Sequence, residues 1–213
     1  MSKSYKPIYQ WPNPNYKAFE GEEHHGRITK DLKNLKQSDF GGWWPCFFPT
    51  AIGFLVTAGS NRINVMTSSC LVVMCAYPFT IGLPIFTGTH SPRGDGPRFS
   101  YELLQETKQF TINLGYISEE MTKKAIICGT LSGRDYPDKI TKAAFTTLPS
   151  KHIIPPLLKE CPLNLECSVL SMTPIGTHTW VAGSVLAVHS DPSLASGNHK
   201  YEWRSMPDLI PSS

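Results

Sequence analysis

Between residues 46 and 191 the chain alternates short apolar runs with turn chemistry, the pattern of strands joined by tight connections. Ala51–Ala58, Leu71–Ala76 and Leu83–Thr87 read as strands. Between the first two, Gly59-Ser60-Asn61 supplies residues that tolerate positive φ. Asn64, Thr67, Ser68 and Ser69 then bring together short side chains rich in hydrogen-bonding groups. That run reads either as a polar loop or as a cradle for a ligand carrying phosphate or hydroxyl groups. Ser100 reads as the N-cap of a helix, with Glu102 in the first turn, where the helix dipole favours an acid. Phe110–Leu114 alternates as a strand. Ser118 opens a second helix with Glu119 and Glu120 in its first turn, and Gly129 is placed to cap its end. Residues 130–162 are irregular and polar. Leu163–Leu170 and Thr179–His189 complete the strands, joined by a turn around Pro174-Ile175-Gly176.

Strands outnumber helices and do not alternate with them regularly. The fold class this predicts is mainly β, a largely antiparallel barrel with a few short helices, and not a doubly wound sheet. The usual nucleotide loops, GxGxxG after a strand and GxxxxGK[ST], do not occur in the sequence. Residues 1–45 are rich in Lys, Pro, Asn and Glu and read as an N-terminal extension packing on the barrel or on a dimer partner. Residues 192–213 read as a C-terminal tail. The adjacent Trp43 and Trp44 are too apolar for a solvated linker, so they pack on the body, on a partner subunit or over a planar ligand.

Composition adds limits. The chain is 40% hydrophobic, enough for a real core, and 20 Lys+Arg against 17 Asp+Glu leave a charge of +3. Nothing in that balance calls for nucleic acid or an acidic membrane surface as partner. No apolar run reaches the length of a membrane span, and the N-terminus lacks the pattern of a signal peptide, so a cytoplasmic protein is expected. The six cysteines, at 46, 70, 75, 128, 161 and 167, show no CxxC spacing. They read as buried thiols, and no metal site is expected. His24 and His25 read as solvated.

Five segments then fall in a familiar order: VTAGSNRINVMTSS, FTINL, CGTLSGRDYPDK, CPLNLEC and GTHTWVAGSVLAVHSD. In that order the chain resembles the flavin reductase-like, FMN-binding split-barrel family, within it the flavoredoxin branch, over roughly residues 46–191. The resemblance implies a homodimer of split barrels that holds FMN. It places Thr57, Asn64, Thr67, Ser68 and Ser69 among the flavin contacts. It assigns Arg93, Arg98 and Ser100 to the phosphate, for which guanidinium and hydroxyl donors are suited. Asn113 and His178 fall near the flavin by the same likeness, His178 as the candidate catalytic residue. Each has a plainer alternative: Arg93 and Arg98 as solvated loop charges, Asn113 as a partner for a strand-end backbone group, His178 as an exposed turn residue. Asp135 and Asp138 read as turn residues, and Glu166 as facing outward or pairing with a nearby base.

The function implied is that of an FMN-binding redox flavoprotein. Hydride would come from NAD(P)H, as in a flavin reductase, or electrons from a redox protein, as in a flavoredoxin-type carrier. The alternative is a non-catalytic split-barrel binding protein for haem or a modified flavin. A spectrum of the purified protein separates these readings.

Overall fold

The alternation along Ala51–Ala58 faces two cores at once. Leu55 turns into a cluster with Leu83, Ile85, Phe110, Ile112 and Val181, while Phe54 and Val56 turn to the opposite face, against Ala125, Cys128 and Phe145. A strand covered on both faces reads as a near-continuous apolar run. The structure is a computed structural model of the chain and describes residues 22–29, 51–88, 96–116 and 118–192. The Trp43-Trp44 pair, Arg93, Cys46 and the tail beyond residue 192 lie outside the described residues.

The described residues fall into two units. In one, β1 (Glu22–His24) and β2 (Arg27–Thr29) form a hairpin whose turn residues, His25 and Gly26, both take positive φ. In the other, β3 (Ala51–Ala58), β4 (Ile63–Cys75), β5 (Thr80–Phe86), β6 (Gln109–Leu114), β9 (Leu163–Ile175) and β10 (His178–Ser190) close into a barrel. The strand order is β10-β5-β4-β3-β6-β9, and every pairing is antiparallel. Closure leaves these strands without a free sheet edge. The fold is thus mainly β with few helices, as the pattern of short strands and turns predicts.

Among the described residues three helices decorate the barrel: α1 (Phe99–Thr107), α2 (Glu119–Thr130) and the single turn α3 (Lys139–Lys142). Leu104 of α1 enters the barrel interior, and the Thr107 hydroxyl donates to the Ala58 carbonyl at 2.9 Å, fixing α1 across the end of β3. Ala125 and Cys128 of α2 pack on the outer face of β3 and β4. The Ser118 hydroxyl accepts from Met121 N–H at 3.0 Å, the expected N-cap bond. Lys124 is buried, and its ammonium donates to the carbonyls of Ala143 and Ala144, the orphan acceptors at the end of α3. It thereby joins α2 to α3. A short ladder of β7 (Thr147–Leu148) and β8 (Leu157–Leu158) lies beyond.

Four local expectations change. The hydroxyl-rich run at 64–69 is not a loop between strands: β4 continues unbroken from Ile63 to Cys75. Its irregularity is a bulge, where the register steps from Gly53↔Ser68 to Ala51↔Leu71 and Cys70 takes φ 68°. Ser100 does not cap α1. Arg98 is the N-cap, its side chain making no capping hydrogen bond, and Ser100 is buried inside the first turn. Gly129 lies within α2, which ends past Thr130. In the stretch read as irregular, α3 and the β7–β8 ladder form.

Candidate functional site

One end of the barrel carries a cavity of about 250 Å³. Its floor is the start of β4, through Asn64, Met66 and Thr67. One wall is the approach to α1, from Gly96 to Ser100. The other is the end of α2 and the loop after it, from Cys128 to Asp135, with Lys139 of α3. The hydroxyl-rich strand, the loop before the first helix and the CGTLSGRDYPDK segment thus meet in one place.

Asn64 is the pivot. It is 3% exposed, and its Nδ2 donates to the Ser100 hydroxyl at 2.7 Å. Its Oδ1 is buried and accepts no hydrogen bond from the protein. Leaving such an acceptor unpaired costs about 1–3 kcal/mol; this oxygen packs against Gly133 at the cavity floor and is an acceptor still open to a donor. Thr67 sits two residues behind the strand's buried Val65 and sends its hydroxyl proton to the Ala125 carbonyl at 2.5 Å, which leaves its lone pairs as acceptors.

The walls are rich in cations and backbone donors. Arg98 and Lys139 line the cavity, and Lys139 is 3% exposed. Cys128 also lines it, and burial pushes its thiol up to about 12, against the opposing pull of Lys139 and Lys124. That thiol is a neutral, apolar surface and not a nucleophile. Two arginines brace the loop around Gly133. Arg62 donates to the Gly133 carbonyl, and Arg134 donates to the Pro97 carbonyl at 2.8 Å and pairs with Glu102. Both guanidinium groups lie against the Phe99 ring, at 4.7 and 5.7 Å from its centre.

Of the residues singled out in the sequence, Asn64, Thr67, Arg98 and Ser100 line this cavity. Asp135, read as a turn residue, lines it too, and Arg93 lies outside the described residues. Thr57 is opposite Asn64 in register, but its buried hydroxyl has no partner and does not line the cavity. Ser68 is buried beyond it, and Ser69 is exposed. Asn113 is spent structurally: its Nδ2 donates to the Phe54 carbonyl and the Thr111 hydroxyl, and its Oδ1 accepts from Leu158 N–H and Asn164. All four of its hydrogen-bonding positions are filled. His178 begins β10 and meets the Phe86 ring edge-on at 5.4 Å between centres. Its pKa is lowered by burial and by Arg98, which favours the neutral imidazole. Arg98 lies over the same Phe86 ring, so His178 stands one side chain back from the cavity. Glu166 is wholly buried and paired, not outward-facing. Gly133, Arg134 and Lys139 were not singled out in the sequence. Their only signal was a Gly-rich stretch with alternating charges, which reads as well as a turn.

Among the described residues no group of His, Cys, Asp and Glu is arranged to hold a metal ion. No helix among them is long and apolar enough to cross a membrane.

A closed antiparallel barrel with a cation-lined cavity at one end defines a small-ligand binding barrel. The chain belongs to the flavin reductase like domain family, which matches residues 46–205. It is 33% identical over 152 residues to an uncharacterized protein of Archaeoglobus fulgidus, covering 70% of this chain and 79% of that one. Among solved structures it is similar to the flavoredoxin of Methanosarcina acetivorans, with a TM-score of 0.60 and 22% identity over 78% of this chain and 76% of that one. It is also similar to an FMN-binding protein from Thermus thermophilus, with a TM-score of 0.58 and 18% identity over 79% and 80% of the two chains.

Proposed function

We propose that this chain is a redox flavoprotein that holds FMN in the cavity between β4, α1 and the α2–α3 loop. The observation that carries the reading is a cavity that sets Arg98, Lys139 and the Thr67 and Ser100 hydroxyls around the buried, unpaired Asn64 Oδ1, with Met66, Phe99 and Cys128 as apolar surface and Asp135 also in its lining. The residues fit the cofactor. Asn64 Oδ1 accepts from a ligand N–H or O–H. The Ser100 hydroxyl and the backbone N–H groups of Ser132 and Gly133 offer donors, the Arg134 N–H being taken by the Ser132 hydroxyl. Arg98 and Lys139 supply the charge that a phosphate needs. Family membership and the likeness to a flavoredoxin support the same reading.

When bound, FMN supplies the hydride or electron chemistry, while the protein sets its orientation and surroundings. Here β4 and α1 fix the floor rigidly through the Asn64–Ser100 bond, and Cys128 and Met66 offer apolar surface. His178, kept neutral by burial and by Arg98, holds Phe86 edge-on beside the Arg98 wall and adds no charge there.

The protein works as an NAD(P)H-dependent flavin reductase or as a flavoredoxin-type electron carrier. It acts as a homodimer, consistent with exposed Val72, Val73 and Met74 on β4 and Leu170 and Ile175 on β9, which suit burial against a second copy. The deciding experiment is a visible spectrum of the FMN-reconstituted protein, before and after anaerobic NADH or NADPH. Flavin bands that bleach with nicotinamide mark a reductase. Bands that bleach only with dithionite or a reduced redox protein mark a carrier. A protein that retains no FMN after reconstitution overturns the reading.

A further inference from the structure

We propose that Thr57 is a positioning residue for this site, holding Asn64 in place through one buried water that its hydroxyl shares with Asn64 Oδ1; the effect on flavin binding rests on the FMN reading above. Among the described residues, Thr57 Oγ1 and Asn64 Oδ1 are the two buried side-chain polar atoms that no other protein group pairs. They are not scattered. Thr57 and Asn64 face each other in register across β3 and β4, and directly opposed residues have Cβ atoms about 4.5–5.5 Å apart on one face of the sheet. That face is the barrel interior: Leu55 and Met66, the opposed pair two residues away, pack in the interior cluster. Thr57 is fully buried there, and Asn64 is nearly so.

Buried polar groups in native proteins are paired, by ordered water where no protein group reaches them. Two O–H···O bonds of about 2.7–2.8 Å each let one water join oxygens about 5 Å apart. Such a water has the two polar partners it needs: it accepts the Thr57 hydroxyl proton and donates to Asn64 Oδ1. A carboxamide oxygen has two acceptor positions, so the second stays open toward the cavity. The Asn64 amide is then tied at both ends, Nδ2 to Ser100 of α1 and Oδ1 through the water to β3. The acceptor on the cavity floor is thereby held at one position. Thr57 itself does not line the cavity, so whatever it contributes to a ligand passes through Asn64.

The test combines crystal structures of the flavin-free protein with FMN dissociation constants, measured by flavin fluorescence. The proteins are the native chain, T57V, T57S, N64A and the double variant T57V/N64A. Valine has the shape of threonine without the hydroxyl. The native and T57S structures should show a water within hydrogen-bond distance of both side chains. T57V should lack it, with the Asn64 side chain displaced or in two positions. T57V should weaken FMN binding about fivefold where Asn64 is present and by less than about 1.5-fold in the N64A background, while T57S stays within about twofold of native. A purely structural role for Thr57 would not produce that non-additivity. A native structure with no shared water overturns the inference, and it decides alone if T57V does not fold. Equal weakening by T57V in both backgrounds, or none in either, overturns the positioning role while leaving the FMN reading intact. A native chain that retains no FMN overturns the FMN reading instead, and the place of Asn64 in the T57V structure then decides the role of Thr57.

Discussion

Asn64 Oδ1 lies directly against Gly133, so closely that a Cβ built on the glycine would stand 2.1 Å from it. The same Cβ would be 2.9 Å from the Phe99 ring. Neither neighbour yields easily, because Asn64 is held by Ser100 and Phe99 carries the two guanidinium groups. Only a residue without a side chain lets the α2–α3 loop close over the strand. Gly133→Ala is therefore expected to push the loop off Asn64, lower FMN affinity by about tenfold and cost about 1–3 kcal/mol of stability by overpacking. Urea unfolding together with an FMN titration checks both numbers.

Removing the Asn64 side chain separates a ligand role from a structural one. Asn64→Ala loses one hydrogen bond to Ser100, worth about 0.5–1.5 kcal/mol, and also removes an unsatisfied buried acceptor whose cost is of similar size. Flavin-free stability should therefore change by less than about 1 kcal/mol. FMN affinity should fall by about tenfold or more, the loss of one buried hydrogen bond to the ligand. A large loss of flavin-free stability with unchanged FMN retention would show that Asn64 serves the fold alone.

Glu166 supplies a pH dependence of known sign. Burial alone would raise its pKa, but N–H donors from Lys151 and His152, at 2.7 and 2.8 Å, and His189 Nε2 at 2.6 Å outweigh it and hold the carboxyl below the usual range. A carboxylate lowered in the folded state contributes stability that is fully present above its unfolded pKa and is lost as pH falls through the folded value. Glu166→Gln puts an N–H against donors and should cost about 2–4 kcal/mol near neutral pH. The difference between the native and variant proteins should shrink in acid. Denaturant curves across the acid range test this, and a gap that widens in acid contradicts it.

The cysteines test burial in both cores, Cys128 and Cys161 in the layer between the barrel and its helices and Cys167 in the barrel interior. Burial pushes the Cys128 and Cys161 thiols up to about 12, and Cys167 is raised as well. The thiolate is the species that reacts, so iodoacetamide should leave these three unmodified in the native protein and label them only after unfolding. Peptide mass spectrometry reads this directly. Labelling of Cys128 at the rate of a free thiol would mean that the cavity wall is open.

The barrel was legible because its strands read as short apolar runs bounded by turn residues, as in β3, where Leu55 and Val56 are buried on opposite faces. What the sequence hid were features decided by tertiary contact. The hydroxyl run at 64–69 carries only Val65 and Met66 as apolar residues among turn-like Asn, Ser and Thr, yet pairing with β3 on one side keeps it in β4. Ser100 has the chemistry of an N-cap, but Asn64, 36 residues away, claims its hydroxyl. Asn113 resembles a site residue by its surroundings in sequence, and only the folded chain reveals that β8 and β9 use it up. Half of the cavity, from Cys128 to Lys139, belongs to a segment whose glycines and charges look like any surface turn until α2 and α3 bring them beside β4.

Lys139 is the residue that best separates binding of the phosphate from binding of the ring. It is buried at the cavity, at the first position of α3, close enough to Cys128 to offset part of the rise in that thiol's pKa. A buried ammonium facing a cavity is stabilised by a ligand anion, and a charge-assisted hydrogen bond of this kind is worth about 1.5–3 kcal/mol. Lys139→Met keeps the length and the apolar stem while removing the charge. FMN affinity should fall by about 10- to 100-fold, and riboflavin affinity, which involves no phosphate, should stay within about twofold of the native value. The loss for FMN should lessen as salt rises, since added ions already screen the charge in the native protein. Equal losses for FMN and riboflavin would place Lys139 at the ring or in the fold, and would move the phosphate to the Arg98 side of the cavity.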